Sequence, residues 1–394
     1  MRIGVDACCW SNRRGFGRFT RELLNAIIAV DKKNDYFFFV DEETASSCKF
    51  PSETNLVKAS TSAAPTQAAS ASGRRSLRDL WIFSRLVMKH DLDIFFFPAV
   101  YSYFPIINRS KIILTVHDMI ADNYPGLVFP NERLKLFWKL KQNLAVWQSH
   151  LILTVSEYSK QQVVEYFKVR ESNVRVISEA ASPEFTVIQQ NEQMIETLCR
   201  HKIYPGDRFI LYVGGISPHK NLKSLVDVYH KLKMDSIHGD LKLVLVGDYK
   251  SDSFYSDYSS LKSHVERLRL ENEVIFTGFI EDRELTYLYN SALLLVLPSF
   301  EEGFGLPAVE AMACGTPVVS SDRGSLPEIL GGAGRFFDPH SPETMLLAIR
   351  EVLSDEEIRK EMRRRGLDRA KQFTWDRAAS KAVSLFADLA EDRL

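Results

Sequence analysis

No stretch of this chain approaches the ~18–20 consecutive apolar residues that a membrane-spanning helix needs. Its apolar runs, such as "DIFFFP", "LILTV" and "ALLLVLP", are strand-sized. The opening "MRIGVD" reads as a strand, so a cleavable apolar leader is not expected there. The five cysteines, Cys8, Cys9, Cys48, Cys199 and Cys314, are odd in number and lack any Cys-x-x-Cys spacing. Reduced thiols in a cytoplasmic protein fit that pattern better than a thiolate zinc centre. No His/Cys/carboxylate cluster suggests zinc, and no metal site is expected. A formal net charge of -1 gives no global attraction to nucleic acid, and no such partner is expected. No internal repeat of solenoid period is visible.

What is present is ordinary for a folded protein: 45% apolar and 26% charged residues over 394 positions. That length suits two cores of roughly 150–200 residues each. In the first half, short strands alternate with helix-sized segments. The strands are expected at Arg2–Asp6, Tyr36–Val40, Asn55–Lys58, Asp93–Phe97, Lys111–Val116, Leu151–Val155 and Val174–Ile177. Between the first two, Phe19, Leu23, Leu24, Ile27 and Ile28 form a helical stripe. The pattern restarts with "RFILYVGG", "LKLVLVGD", "NEVIFTGF" and "SALLLVLP". Alternation of this kind predicts α/β architecture, two Rossmann-like doubly wound domains facing each other across a cleft. Residues 1–185 would form the first domain and 206–372 the second, with the hinge near Pro183–Asp207. Residues 373–394 read as an amphipathic helix. Ala59–Gly73, "ASTSAAPTQAASASG", is too small and polar to pack and should be a surface loop.

The most informative string is "LLLVLPSFEEGFGLPAVEAMACGTPVVSSD", Leu293–Asp322. It reads as strand, glycine loop, helix, turn and strand. Gly303 and Gly305 let the backbone turn and approach a ligand. Pro307 suits a first helical turn. Gly315 and Pro317 end the helix. Glu302 stands in the loop and Glu310 eight residues on. A helix N-terminus favours phosphate, and carboxylates beside it suit sugar or ribose hydroxyls. With its two glutamates at this spacing, its "EAM", its glycine and its "PVV", the string resembles the retaining nucleotide-sugar glycosyltransferases of family four, which have the two-domain GT-B fold. The resemblance implies that Glu302 touches the transferred sugar and Glu310 grips the ribose. Gly303, Phe304, Gly305 and Leu306 would line the donor between them. It also implies that the last helix crosses back to the first domain, with Phe373 and Trp375 as its anchors.

Other motifs join this one. Gly15-Phe16-Gly17 follows the first strand, but Thr20 stands where a dinucleotide fingerprint needs its third glycine, so NAD is not expected. "GFGRFTRELL" resembles the family's first loop and helix, with Gly17 facing the donor phosphate or reaction centre and Gly15 as the turn-maker. "LTVHDM" sets His117-Asp118 at a strand's carboxyl end, where parallel sheets expose their sites. The resemblance puts His117 on the donor sugar; Asp118 either orients its ring or caps the next loop. "LYVGGISPHKNL" offers the backbone of Gly214 and Gly215 and the charge of Lys220 to a diphosphate. Family members carry an Arg where this chain has Gly215 or His219. "IFTGFI" supplies Gly278 and Phe279, which either frame the nucleotide base or end a packed strand. Ser156 and Glu157 line the acceptor side or cap a helix. Asp91-Leu92-Asp93 mimics a metal-binding acidic triplet but has no other ligand nearby in the sequence.

These residues predict transfer of a sugar, with mannose from GDP-mannose the first choice, from a nucleotide diphosphate donor to a glycan or lipid-linked acceptor. His117, Glu302 and Lys220 would be the catalytic groups, and no cofactor beyond the donor would be needed. A nucleotide-sugar epimerase or hydrolase, or a nucleotide-sugar-binding subunit without activity, is the alternative. Two basic, aromatic stretches, 74–89 and 133–147, remain. In the second, Leu136, Phe137, Leu140, Leu144 and Trp147 share one helical face, with Lys135 and Lys139 on another. The expectation is an apolar face packed into the core beside a solvated edge; the alternative is a peripheral contact with a membrane.

Overall fold

The computed structural model describes residues 1–13, 15–61, 76–234, 239–249 and 256–393. From position 62 on, the segment expected as a loop, Ala59–Gly73, lies outside the described residues. The chain divides into two compact units, Met1–Glu179 with Thr374–Leu394, and Ala180–Phe373. The segment expected as a hinge, Pro183–Asp207, groups with the second unit and carries a helix, Glu192–Arg200.

The first unit is built on a seven-stranded parallel sheet, ordered β3-β2-β1-β4-β5-β6-β7. Its strands are β1 (Arg2–Asp6), β2 (Asp35–Asp41), β3 (Asn55–Ala59), β4 (Ile94–Phe97), β5 (Lys111–Thr115), β6 (Leu151–Thr154) and β7 (Val174–Val176). Strand β1 is central, pairing Ile3 with Tyr36 on one side and with Ile94 on the other. The continuous apolar run of β4 is explained by burial on both faces. Alternate side chains point to opposite sides: Phe95 and Phe97 meet Phe104, while Phe96 meets Phe386 at 5.4 Å. Phe386 belongs to the last helix, Trp375–Ala390, which packs along the first helix, Gly15–Val30. Lys111 Nζ donates to the carbonyls of Leu389 and Ala390, satisfying two end-of-helix acceptors.

On the Phe95/Phe97 side lies helix Leu77–Met88, whose Phe83 ring lies tilted against Phe104, centroids 5.1 Å apart. Helix Glu132–Gln148 is tied to the same side through Gln148, which accepts from Tyr103 Oη at 2.9 Å beside Phe97. This helix is inverted relative to the expectation. Leu136, Phe137, Leu140 and Trp147 are between 60% and 80% exposed, while Trp138, Gln142, Ala145 and Val146 face inward. Both faces can carry a stripe, and helical periodicity alone does not say which one the sheet covers.

The second unit holds a six-stranded parallel sheet, ordered β10-β9-β8-β11-β12-β13. Its strands are β8 (Arg208–Val213), β9 (Leu241–Val246), β10 (Val274–Gly278), β11 (Leu294–Leu297), β12 (Val318–Ser321) and β13 (Gly334–Phe337). The order is that of a doubly wound Rossmann sheet, reversing between β8 and β11. No described helix is long and apolar enough to cross a membrane.

The last helix should be a major source of stability for the first unit. Phe386→Ala removes a fully buried ring from the face of β4, so unfolding in denaturant should show a loss of about 3–5 kcal/mol. A change below about 1 kcal/mol would mean that this helix is not part of the cooperative core.

Candidate functional site

In a parallel sheet every strand releases its chain at the same edge, and ligands bind where neighbouring strands send their chains apart. In the second unit that place is between β8 and β11. After β8 the chain runs through Gly214 and Gly215 into a short turn, Pro218–Lys220. After β11 it runs through Ser299 and Glu302 to helix Leu306–Ala313. Two contacts join the segments. Phe300 N donates to His219 O at 2.9 Å. Lys220 Nζ sits astride the Glu302 carboxylate, 2.7 Å from Oε1 and 2.8 Å from Oε2. Ser299 Oγ donates to the same Oε1 at 2.6 Å. The two charged side chains are only 17% and 14% exposed. At this depth the pair is weakly screened, and each charge depends on the other.

Glycines shape the surrounding backbone. Gly305, at φ +88°, begins helix Leu306–Ala313, and a Cβ there would lie 2.6 Å from Leu326. Gly324, at φ +64°, presses on the Glu302 backbone, where a Cβ would come within 2.6 Å of its nitrogen. Ser325 holds the Glu302 carbonyl through both its N–H and its hydroxyl. Along the other strands Gly214, Gly247 and Gly278 stand side by side. A Cβ on Gly247 would fall 2.1 Å from Gly214 O, and Gly247 N donates to Gly278 O at 3.1 Å. Tyr212 Oη donates to Gly215 O at 2.8 Å. Burial, then the nearby Glu302 charge, pushes this phenol well above its ordinary pKa, so it remains a donor.

Glu310 lies within helix Leu306–Ala313, five residues past Gly305, and is buried. Its Oε2 accepts from the fully buried Tyr289 Oη at 2.9 Å. Burial, followed by the Glu310 charge, raises the pKa of the neighbouring Cys314 thiol far above the usual range, leaving it a protonated, inert group. Phe304 and Leu306 are buried, with Phe304 edge-on to Phe373 at 5.6 Å. Phe279 follows Gly278, whose φ of +78° turns the chain out of β10.

In the first unit, His117 follows β5 and is nearly buried. Its Nε2 lies 3.0 Å from Pro98 O and its Nδ1 lies 3.5 Å from Glu179 Oε1. Phe19 meets the ring edge-on at 4.7 Å. The carboxylate beside the ring is thus Glu179, just past β7, while Asp118 Oδ1 accepts from Ile120 N and caps the loop. Ser156 is a helix cap, its Oγ accepting from Ser159 N at 3.0 Å. Asp93 lies at the amino edge of β4, away from the site edge, and accepts from Arg2 N.

The two glycines near this histidine differ from the sequence expectation. Gly15 is not a turn-maker: it is the first residue of helix Gly15–Val30, and a Cβ at this position would meet nothing within 4 Å. The chain turns earlier, through Ala7–Asn12, held by Arg21 Nη1 on Trp10 O and Asn12 O. Gly17 is required by packing, since a Cβ would fall 2.1 Å from Asn12 O. Sequence reasoning missed Glu179, Ser299, Gly247, Tyr289 and Gly324. Gly247, Ser299, Glu179 and Gly324 carried a signal, as residues just past a strand's carboxyl end, and Tyr289, inside a helix, carried none.

Residues 15–185 match the model for Glycosyltransferase Family 4, and residues 196–369 match that for Glycosyl transferases group 1. The O-antigen chain mannosyltransferase B of Escherichia coli is 31% identical over 278 residues, covering 70% of each chain. The chain belongs to the family-four glycosyltransferases. The serotype-specific mannosyltransferase WbdA of Escherichia coli is 32% identical over 291 residues, which are 71% of this chain but 34% of WbdA. This chain therefore spans about a third of that relative's length. Among solved structures, Anabaena HepE in complex with UDP-glucose superposes with a TM-score of 0.72 at 18% identity, over 97% of this chain and 99% of that one. The architecture is that of the GT-B glycosyltransferases, with two Rossmann-like units.

The glycine geometry of this family-four chain makes opposite predictions two residues apart. Gly15→Ala should stabilise by about 0.4–1 kcal/mol, because it only restricts the unfolded chain. Gly17→Ala should destabilise by about 1–3 kcal/mol, because the methyl meets backbone that cannot retreat. Thermal melts of the two variants check this, and equal effects would refute the assignment.

Proposed function

We propose that the protein transfers a mannosyl group from a nucleotide diphosphate sugar to a glycan or lipid-linked glycan, with retention at the anomeric carbon and without an essential metal. The observation that carries this reading is the Lys220–Glu302 pair at the strand-order reversal of the second unit. The mannosyltransferase relatives support the sugar, and the UDP-glucose complex of HepE supports the donor class. The work would take place on the cytoplasmic side, with the acceptor met at a membrane surface.

In this scheme the diphosphate lies against Lys220 and the backbone N–H groups of the Gly214–Gly215 turn. The bond between the anomeric carbon and the diphosphate oxygen breaks, and its electron pair goes to the phosphate. An acceptor hydroxyl attacks the same face, and its proton passes to the leaving phosphate. Lys220 stabilises the growing charge. Glu302 and His117 hold sugar hydroxyls, and Glu310 holds the ribose, sharing its carboxylate with Tyr289. Gly278 and Phe279 border the base. No side chain acts as a nucleophile. Gly215, where the family resemblance implies an Arg, favours one competing reading, a nucleotide-sugar-binding subunit that does not turn over. A panel of nucleotide sugars, scored by thermal stabilisation and by transfer to a glycan, separates the two. Stabilisation without transfer supports the binding subunit, and neither response overturns both readings.

Lys220→Ala should lower turnover about 10²–10³-fold, whereas EDTA should leave it nearly unchanged. Strong inhibition by chelator, relieved by Mg²⁺ or Mn²⁺, would contradict the metal-free scheme. Glu310→Ala should weaken nucleotide affinity about ten- to a hundredfold, the loss of a charged hydrogen bond worth roughly 1.5–3 kcal/mol. His117→Ala and Glu302→Ala should depress turnover far more than affinity for the bare nucleotide. Tyr289→Phe serves as a control: if it reproduces the Glu310→Ala loss, Glu310 anchors the helix rather than the ribose.

A further inference from the structure

Helix Glu132–Gln148 presents the wrong face to solvent for a helix of a self-contained core. At about 100° per residue, Leu136, Phe137, Leu140, Leu144 and Trp147 fall on one outward stripe, and all five are exposed. Arg133 shares the middle of that stripe, and Lys139 flanks it. The inward face is filled by Trp138, whose Nε1 donates to Asp122, together with Gln142, Ala145 and Val146. Contacts already in place on that inward side hold the helix in this orientation, so the stripe is not a packing error that a rotation would repair.

A second helix repeats the pattern. On Leu77–Met88, the residues Leu77, Trp81 and Met88 are exposed, with Arg78 and Arg85 among them. The Arg85 guanidinium lies over the Trp81 ring at 5.0 Å. Both helices cover the Phe95/Phe97 side of the sheet, and both are tied to one short segment. Ser84 Oγ donates to Pro105 O, while Gln148 receives Ile106 N and donates to Ile106 O. Ile107, next in that segment, is also exposed. One side of the first unit therefore carries two tryptophans, several large aliphatic side chains and interspersed arginine and lysine.

We propose that this side of the first unit docks on the headgroup region of an anionic lipid bilayer, with the helix Glu132–Gln148 lying flat and its leucines and Trp147 inserted. The occupant follows from charge and chemistry. A second copy of the chain would bring like charges together around Arg133, Lys139, Arg78 and Arg85. An anionic surface neutralises them, and exposed tryptophan flanked by cations suits the boundary between headgroups and acyl chains. Salt should weaken the attraction of the cations but not the insertion of the apolar stripe. This deepens the membrane part of the proposed function and rests on it, but it is read by binding, not by transfer.

The test is flotation of the full-length protein with vesicles of phosphatidylcholine alone, or of phosphatidylcholine with phosphatidylglycerol, at low and high salt. The intact protein should float with the anionic vesicles at low salt, and less at high salt. The double variant Leu140→Glu/Trp147→Glu should bind at least about tenfold more weakly. Its melting curve should be unchanged, since both side chains are exposed in the intact protein. Sedimentation velocity on both proteins reports self-association. No flotation on anionic vesicles at low salt, equal flotation of the double variant, or an intact dimer that the variant dissociates would each overturn the proposal. Flotation that persists in a protein with no transferase activity would leave this surface standing and overturn the transferase reading instead.

Discussion

Two parallel strands cannot be joined by a tight turn, and each crossover must return over a face of the sheet before the next strand can start. That constraint decides the layout of both units. It buries the inner strands on both faces, which is why β4 reads Ile94–Phe97 without a polar residue. It also delivers all the strand ends to one edge. Lys220 and Glu302 are 82 residues apart in sequence, yet they share a hydrogen bond because β8 and β11 are neighbours whose chains leave in opposite directions. His117 and Glu179 follow β5 and β7, which flank β6, and they meet at the same edge of the first unit's sheet.

At that edge the backbone does as much as the side chains. Gly214, Gly247 and Gly278 pack so closely that a methyl on Gly247 would overlap a neighbouring carbonyl. Gly305 and Gly324 perform the same service around Glu302. What results is a set of closely packed peptide groups at the strand ends and a strongly held ion pair. Removing one member of such a pair leaves a poorly solvated charge, which typically costs about 3–5 kcal/mol. A ligand carrying its own negative charge offers Lys220 a second partner without that penalty. This is the physical sense in which, under the proposed function, Lys220 would serve a diphosphate.

Much of this was legible in the sequence, for definite reasons. The glycine loop and paired glutamates of Leu293–Asp322 form a long ungapped string, and strand-sized apolar runs mark buried parallel strands. The unread parts lacked such redundancy. Strand β13, "GRFF", has four residues at a sheet edge, with half-exposed positions and glycines before it, so it shows neither alternation nor a continuous apolar run. Gly15 and Gly17 look equivalent in the sequence, and only the path of Ala7–Asn12 separates a helix start from a packing requirement. Ser299, Tyr289 and Gly324 are single residues with no spacing partner, and their roles depend on contacts made across the fold. The pairing of His117 with Glu179 also depends on strand order, which local sequence does not encode.

Helix Glu132–Gln148 illustrates the same limit from the other side. Its periodicity correctly marks a helix with an apolar stripe, and an apolar stripe is normally what a sheet covers. The sheet instead covers the side bearing Trp138, Gln142, Ala145 and Val146, whose small residues allow close approach and whose Trp138 indole finds an acceptor in Asp122. Two of those inward positions, Ala145 and Val146, are apolar, so the helix is apolar on both sides, with Arg133 within the outer stripe and Lys139 at its flank. Such a helix has nothing to gain from rolling over within its own fold, because either orientation leaves one apolar face in water. The free energy that fixes its orientation comes from the inward contacts, and the outer face remains available to whatever surface can dehydrate it.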